Sequence, residues 1–379
     1  MVDIARRALA LARTTCLSQV HIIELWLQFL KRNCNLRCVH CYVPGEEVMP
    51  GALLSPERYV EALRGVVARK EFNHFNRSDI VFPGMEPLMP ENEPWFRPLM
   101  EEAVKLNRGS IGITTNGTLL NKKNVAFLSD ASLRIRHPFT INISIDGDEE
   151  THDRQRRGRG LWRKAMKGIR RLAEAGCFNV VTNTTITSLN ARILSEIAVL
   201  SNEGGANIAA FHPYEDAHNA TIAPIGRSEV AGGVRKLVAE FEKDDRMKCV
   251  VLEFEASTAG IFFALFANGV FDGWKLVGDE AQYMFLQKEV GGRMCLAQLL
   301  FHPHHFIRTM RLMPNGGFAS CRSMALRGWK TVGHWQMPYD ELREACIPLL
   351  ADIWLEYLDS TASVESETWD TFTQCIEKG

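Results

Sequence analysis

Cys34, Cys38 and Cys41 fall within eight residues, in the stretch NCNLRCVHCY, and no fourth cysteine follows nearby. Thiolates favour soft metals: zinc, copper(I) or iron–sulfur clusters. A structural zinc takes four ligands, commonly as paired Cys-x-x-Cys units. Here Cys38-x-x-Cys41 has an extra Cys34 before it and no second pair close by. His40 would have to turn inward beside Cys41 to complete a zinc set. Three cysteines on one loop can instead bind three irons of a [4Fe–4S] cube and leave the fourth iron open.

The elements that must carry this loop can be read from periodicity. Apolar, strand-like runs bounded by polar or turn residues occur at 22–29, 79–82, 111–115, 140–145, 179–186 and 208–211. Helical patterns lie between them. One begins after Ser55, with Pro56 in its first turn and Glu57 following; others cover 94–106, 122–129, 161–175 and 191–201. Six such alternations give an α/β fold whose parallel strands curl into a full or partial barrel. In such barrels the chemistry sits at the C-terminal ends of strands, which is where the cysteine run falls. After about Pro224 the pattern changes. Helical segments near 230–243 and 279–286 lead into a turn-punctuated, cysteine-containing region, so 1–224 reads as a catalytic domain and 225–379 as linker helices with an appended domain.

Bulk composition narrows the partners. The chain has 379 residues, 46% of them hydrophobic, and a net charge of −1, which leaves no global field for nucleic acid or anionic lipid. The basic run DRQRRGRGLWRK is the only strong local patch. The most apolar run, 259–270, is too short to span a bilayer and reads as core. The N-terminal apolar stretch is broken by Arg13 and lacks a small-residue cleavage site, against a secretory signal. Ten cysteines without an export signal point to metal or redox use in a reducing cytoplasm.

The spacing Cys-x-x-x-Cys-x-x-Cys after a first barrel strand resembles that of radical S-adenosylmethionine (SAM) enzymes. Members usually carry an aromatic before the last cysteine, where this chain has His40; Tyr42 follows. The likeness extends along the chain. FPGMEP resembles the family's Gly-Gly-Glu-Pro segment, read here as Gly84-Met85-Glu86-Pro87, with Met85 departing from the pattern. It implies that Glu86 and the backbone near Gly84 hold the SAM amino group, a carboxylate facing an ammonium. TTNGTLL matches the turn containing Thr115 and Asn116. ISIDGDEETHDRQRRG, which includes Asp146, is similar to the run of the peptide-modifying and sulfatase-maturing branch. It implies Ser144 and Arg156 at the SAM carboxylate, where a guanidinium suits bidentate pairing, with Arg154 and Arg157 as alternatives. On the fifth strand Asn183 or Thr185 would face the ribose. The resemblance implies SAM bound at the open iron of one [4Fe–4S] cluster on Cys34, Cys38 and Cys41. Its reductive cleavage would give a 5′-deoxyadenosyl radical that abstracts a substrate hydrogen, with flavodoxin or ferredoxin as reducing partner.

Cys295, Cys321, Cys346 and Cys375 remain in the appended region. The run LMPNGGFASC, after the strand-like FIRTMRLM, reads as a β-hairpin with Cys321 after its turn. It resembles the SPASM or shorter twitch extension, an α+β unit that binds auxiliary [4Fe–4S] clusters. Departures are the HPHHF insertion, with His302, His304 and His305, and Cys346-Ile-Pro-Leu349 where a twitch unit commonly shows Cys-x-x-Cys. One auxiliary cluster is the expected count, and buried idle thiols are the alternative. Cys16, Cys177 and Cys249 read as core or surface thiols.

After the sixth strand, FHPYEDAHNATIAP places His212, Tyr214, Glu215, Asp216 and His218 at the barrel rim, where substrate contacts and a proton or hydrogen-atom carrier belong. A solvated polar loop is the competing reading. Peptide-modifying relatives often carry an N-terminal leader-binding domain, whereas this chain reaches its first cysteine motif by residue 34. That favours a small natural-product substrate undergoing oxidation, crosslinking or epimerisation, or a peptide presented by a separate protein. A non-catalytic iron–sulfur electron carrier and a zinc-dependent binding module are the readings of another class.

Overall fold

The strands assemble into one sheet because each presents an apolar face to a helix layer. A computed structural model describes residues 2–17, 24–27, 34–41, 53–69, 79–83, 85–106, 109–214, 220–278, 284–299, 309–319, 331–362 and 364. The chain order begins β1 (Glu24–Leu27), α2 (Pro56–Ala68), β2 (Asp79–Phe82), α3 (Glu93–Leu106), β3 (Ile111–Thr115), α4 (Lys122–Leu133) and β4 (Phe139–Ser144), after an N-terminal α1 (Val2–Leu17). It continues with α5 (Glu149–Arg156), α6 (Leu161–Ala175), β5 (Asn179–Ile186), α7 (Leu194–Glu203) and β6 (Ile208–Pro213). β1 to β6 are neighbours in sequence order and all parallel. A mostly parallel α/β sheet is therefore what the alternation predicts and what forms.

Beyond Pro224 lie α8 (Arg227–Phe241), β7 (Cys249–Phe254), α9 (Ala259–Ala267), β8 (Lys275–Gly278), β9 (Met284–Val290), β10 (Arg293–Leu299), β11 (Thr309–Leu312), β12 (Phe318–Ala319) and α10 (Tyr339–Ser360). These strands extend the same sheet at both edges, in the order β12-β11-β1-β2-β3-β4-β5-β6-β7-β10-β9-β8. β7 and β10 continue the parallel run beyond β6, and β11 pairs in parallel with β1. The apolar run at 259–270 is core, as expected: Ile261, Phe262, Phe263 and Leu265 are buried.

The expected helix at 279–286 is a correction, since Met284–Leu286 open β9 instead. The reason is the Gly291-Gly292 pair that follows. Both adopt positive φ (57° and 77°), the two-residue hairpin turn that joins β9 to β10.

Alternation along β4 shows how the sheet aims polar groups at one face. Phe139, Ile141 and Ile143 are buried under the helices, while Thr140, Asn142 and Ser144 take the opposite face. On β5 to β7 that face also carries Val181, Ala210 and Val251, which form a small separate apolar cluster.

The C-terminal region is tied to α2. Tyr59 Oη donates to the Leu312 carbonyl at 2.7 Å, and the Leu54 amide to that of Pro314 at 2.8 Å. Trp335 lies against Gly65, where a Cβ would come within 2.6 Å of the indole ring. Gly→Ala inside a helix normally gains about 1 kcal/mol, but overpacking a rigid ring costs about 1–3 kcal/mol. Gly65→Ala is therefore expected to lower the thermal midpoint, checked by calorimetry. A raised midpoint would mean that Trp335 does not pack there.

Candidate functional site

The described candidates stand at or just beyond C-terminal strand ends: the cysteine loop after β1, Glu86 after β2, Asn116 after β3, Asp146 after β4, and Asn183 and His212 near the ends of β5 and β6. Two neighbours grip the cysteine loop. On the β3 side, Asn116 Nδ2 donates to Asn35 Oδ1 at 2.8 Å and reaches Cys34 Sγ at 3.8 Å, while Asn35 Nδ2 donates to Thr118 Oγ1 at 2.9 Å. Gly117 makes this turn possible. Its φ is 76°, and a Cβ would meet Ile143 at 2.8 Å. On the α5 side, Arg156 Nη1 lies 3.6 Å from Cys38 Sγ, and the Val39 amide donates to the Gln155 carbonyl at 2.9 Å.

Glu86 is fully buried. Its carboxylate accepts from Thr115 Oγ1 (2.8 and 2.9 Å), the Asn116 amide (2.8 Å) and the Leu88 amide (3.1 Å). Burial pushes it up to about 7, against the pull of those donors. Met85 beside it is held at φ 58°. Among the described residues no cation pairs with it.

Asp146 and Arg156 form a buried pair through Oδ2 and Nε. Asp146 Oδ1 also accepts from the Thr185 amide at 3.1 Å. Burial alone would raise the carboxyl, but the Arg156 guanidinium outweighs it and holds Asp146 at about 2. Further residues brace this pair. The Asp146 amide donates to His152 Nδ1 at 3.1 Å, Asn190 Nδ2 donates to the Asp146 carbonyl at 2.9 Å, and Gln155 Nε2 donates to the Thr185 carbonyl at 3.2 Å. His152 and Gln155 lie in the quoted HDRQRR run, and nothing in that charged run marks either as buried.

Burial lowers His152 to about 4. The unfolded chain takes up that proton near pH 6.5, so stability is lost as pH falls from about 6.5 towards 4. The expected loss between pH 7 and pH 5 is about 2 kcal/mol. His152→Gln should recover about that much in urea titrations at the two pH values, and an unchanged slope would contradict it.

The sulfurs are half-buried. Burial raises Cys34 to about 11, and Cys38 is pushed up by burial while Arg156 pulls it down. A bound cation reverses this balance, because metal charge favours the thiolate. Among the described residues no three Cys, His, Asp or Glu side chains converge on a single-ion site. A cube presents its irons at separate corners, so three cysteines on one loop, two of them braced by Asn116 and Arg156, fit it. The Glu86 carboxylate is buried nearby in the motif order, and Asn183 Oδ1 and His40 Nδ1 are buried without a hydrogen-bond partner among the described residues.

Elsewhere, His212 Nε2 lies 3.0 Å from Thr185 Oγ1, and the Tyr214 amide donates to the Ile186 carbonyl at 2.9 Å. Ser144 and Asn183 are register partners on β4 and β5. Cys295 is fully buried on the helix-packed face of β10, where burial drives its thiol up, and Cys346 borders the same core from α10. Tyr42, Gly84, Glu215, Asp216, His218, His302, His304, His305, Cys321 and Cys375 lie outside the described residues.

Residues 30–191 match the model of the Radical SAM superfamily, so the chain carries a radical SAM domain. That domain implies SAM and a [4Fe–4S] cluster as cofactors. The chain is 30% identical over 174 residues to Fe-coproporphyrin III synthase of Methanosarcina barkeri, covering 46% of this chain and 40% of the relative. It is 31% identical over 144 residues to the serine-type anaerobic sulfatase-maturating enzyme of Klebsiella aerogenes, covering 36% and 33%. The chain spans less than half the length of these two curated relatives. The fold matches that of Streptococcus suis SuiB bound to S-adenosylmethionine, with a TM-score of 0.60 over 90% of this chain and 68% of that one, at 14% identity.

Proposed function

We propose that this chain is an enzyme that cleaves S-adenosylmethionine reductively and removes a hydrogen atom from an organic substrate. The observation that carries the reading is one continuous set of contacts: Glu86 to Asn116, Asn116 to Cys34, and, across the loop, Cys38 to Arg156 and Asp146. An iron–sulfur electron carrier has no use for a buried carboxyl group tied through Asn116 to its cysteine loop.

In this reading Cys34, Cys38 and Cys41 hold the cluster. When bound there, SAM supplies a 5′-deoxyadenosyl radical by one-electron cleavage of its sulfonium. Glu86 receives the ammonium group, Ser144 and Arg156 lie on the carboxylate side, and Asn183 lies on the ribose side. Asp146 keeps Arg156 charged and aimed at Cys38. His212, with Thr185 setting its ring, stands at the rim with Tyr214, where Glu215 and Asp216 follow in sequence and a substrate proton or hydrogen atom is handled.

Oxidation, crosslinking or epimerisation of a small natural product is the substrate class we propose, in the cytoplasm, with flavodoxin or ferredoxin as electron donor. Among the described residues no helix is long and apolar enough to cross a membrane. The likeness to a sulfatase-maturating enzyme and to SuiB, also solved bound to its precursor peptide SuiA, supports a second reading, a maturase acting on a separately presented peptide. An auxiliary cluster on Cys295, Cys321, Cys346 and Cys375 belongs to the proposal and is decided by iron content: about eight irons per chain with it, about four without. Incubating the reduced, reconstituted protein with SAM tests the reading, with 5′-deoxyadenosine and methionine expected in equal amounts. Iron without that product would favour the electron carrier.

A further inference from the structure

Arg157 is one of two non-glycine residues with positive φ among the described residues, at 56°. It caps the C-terminus of α5 in the left-handed conformation that glycine adopts at lower cost. Capping alone gives no reason for an arginine. Its side chain supplies one, since Nη2 donates to Thr221 Oγ1 at 2.6 Å. Thr221 belongs to the segment that follows the β6 rim. Its amide donates to the Val39 carbonyl at 2.8 Å, and its hydroxyl reaches the same oxygen at 3.4 Å.

Val39 stands inside the Cys38–Cys41 turn, closed by the Cys41 amide on the Cys38 carbonyl at 3.3 Å. Both of its backbone groups are thus held, the amide by Gln155 and the carbonyl by Thr221. Three consecutive residues divide the work: Gln155 holds Val39, Arg156 meets Cys38, and Arg157 fixes Thr221. Backbone strain of this kind persists where the surroundings over-determine it, and it concentrates at functional sites.

We propose that Arg157 is a positioning residue: its strained cap clasps Thr221, and through Thr221 it sets the Cys38–Cys41 turn. The inference rests on the proposed cluster-binding role of that turn. It goes further in giving this arginine, rather than the glycine a helix cap prefers, a part in placing two ligands.

Hydrogen exchange on the full chain, read by mass spectrometry without SAM, tests it in the wild type and in Arg157→Gly, Thr221→Val and Thr221→Ser. Arg157→Gly relieves strain, so its thermal midpoint should hold or rise. Exchange of the Val39 and Thr221 amides should nevertheless accelerate about five-fold, the factor for one lost hydrogen bond. Thr221→Val should do the same, and Thr221→Ser should keep the wild-type rate. Iron release from the reconstituted protein to a chelator should accelerate in parallel. Unchanged exchange in Arg157→Gly would reduce the residue to a helix cap and overturn the proposal. Faster exchange with unchanged iron release would also overturn it, because the clasp would then hold backbone without placing ligands. Failure of the enzymatic reading shows separately, as absent 5′-deoxyadenosine from the wild type.

Discussion

Arg156→Met is expected to destabilise the protein by about 3–5 kcal/mol at neutral pH, the cost of leaving a buried charge without its partner. Asp146 is fully buried and Arg156 nearly so, and the guanidinium is the largest influence holding the Asp146 carboxyl down at about 2 against its burial. The sign of the pH dependence follows. In the wild type the pair's stabilisation is complete above the unfolded value of about 3.9 and is lost as pH falls through about 2. In the variant, burial without compensation raises the carboxyl instead, so its penalty is largest at neutral pH and shrinks on acidification. Urea titrations at pH 7 and pH 4 should show the gap between the two proteins narrowing. The double variant Asp146→Asn/Arg156→Met should recover more than half of the loss, since it removes both charges. A gap that is flat with pH would mean the guanidinium is not what holds Asp146 ionised.

Glu86→Gln has the second large effect, on binding. The carboxylate accepts at both oxygens, from Thr115, Asn116 and Leu88. An amide offers one acceptor and turns two donors towards these groups. The variant also loses the negative charge proposed to face the SAM ammonium. Hydrogen bonds to charged groups are worth about 1.5–3 kcal/mol, so SAM affinity measured by equilibrium dialysis should fall about 10- to 100-fold. An affinity within two-fold of wild type, on that estimate, would remove Glu86 from the SAM site. Because burial raises this carboxyl to about 7 in the ligand-free protein, binding should also weaken as pH falls below 7 in the wild type and lose that limb in the variant.

The parallel sheet was legible because each strand is a short apolar run between helices with readable caps. Ser55, predicted to start a helix, caps α2 by accepting from the Arg58 amide at 3.3 Å. Motif order singles out Cys34, Glu86, Asn116, Asp146 and Arg156, and the fold brings them to one end of the sheet. Long-range pairing was not legible. Nothing local in the FIRTMRLM run says that β11 will flank β1 in parallel some 280 residues away. The bracing roles of His152, Gln155 and Asn190 were also hidden, since they depend on where α5 docks against β5. At β9 two local signals compete, a helical pattern over 279–286 and the Gly291-Gly292 turn, and the hairpin prevails.

Iron and sulfide content of the anaerobically reconstituted protein, beside a Cys34→Ala/Cys38→Ala/Cys41→Ala triple variant, tests the central claim most directly. Each sample is reduced and incubated with SAM. The triple variant should hold about four fewer irons per chain than the wild type, and 5′-deoxyadenosine should form with the wild type alone. Zinc in place of iron, unchanged iron in the variant, or a cluster-loaded wild type that leaves SAM intact would contradict the account.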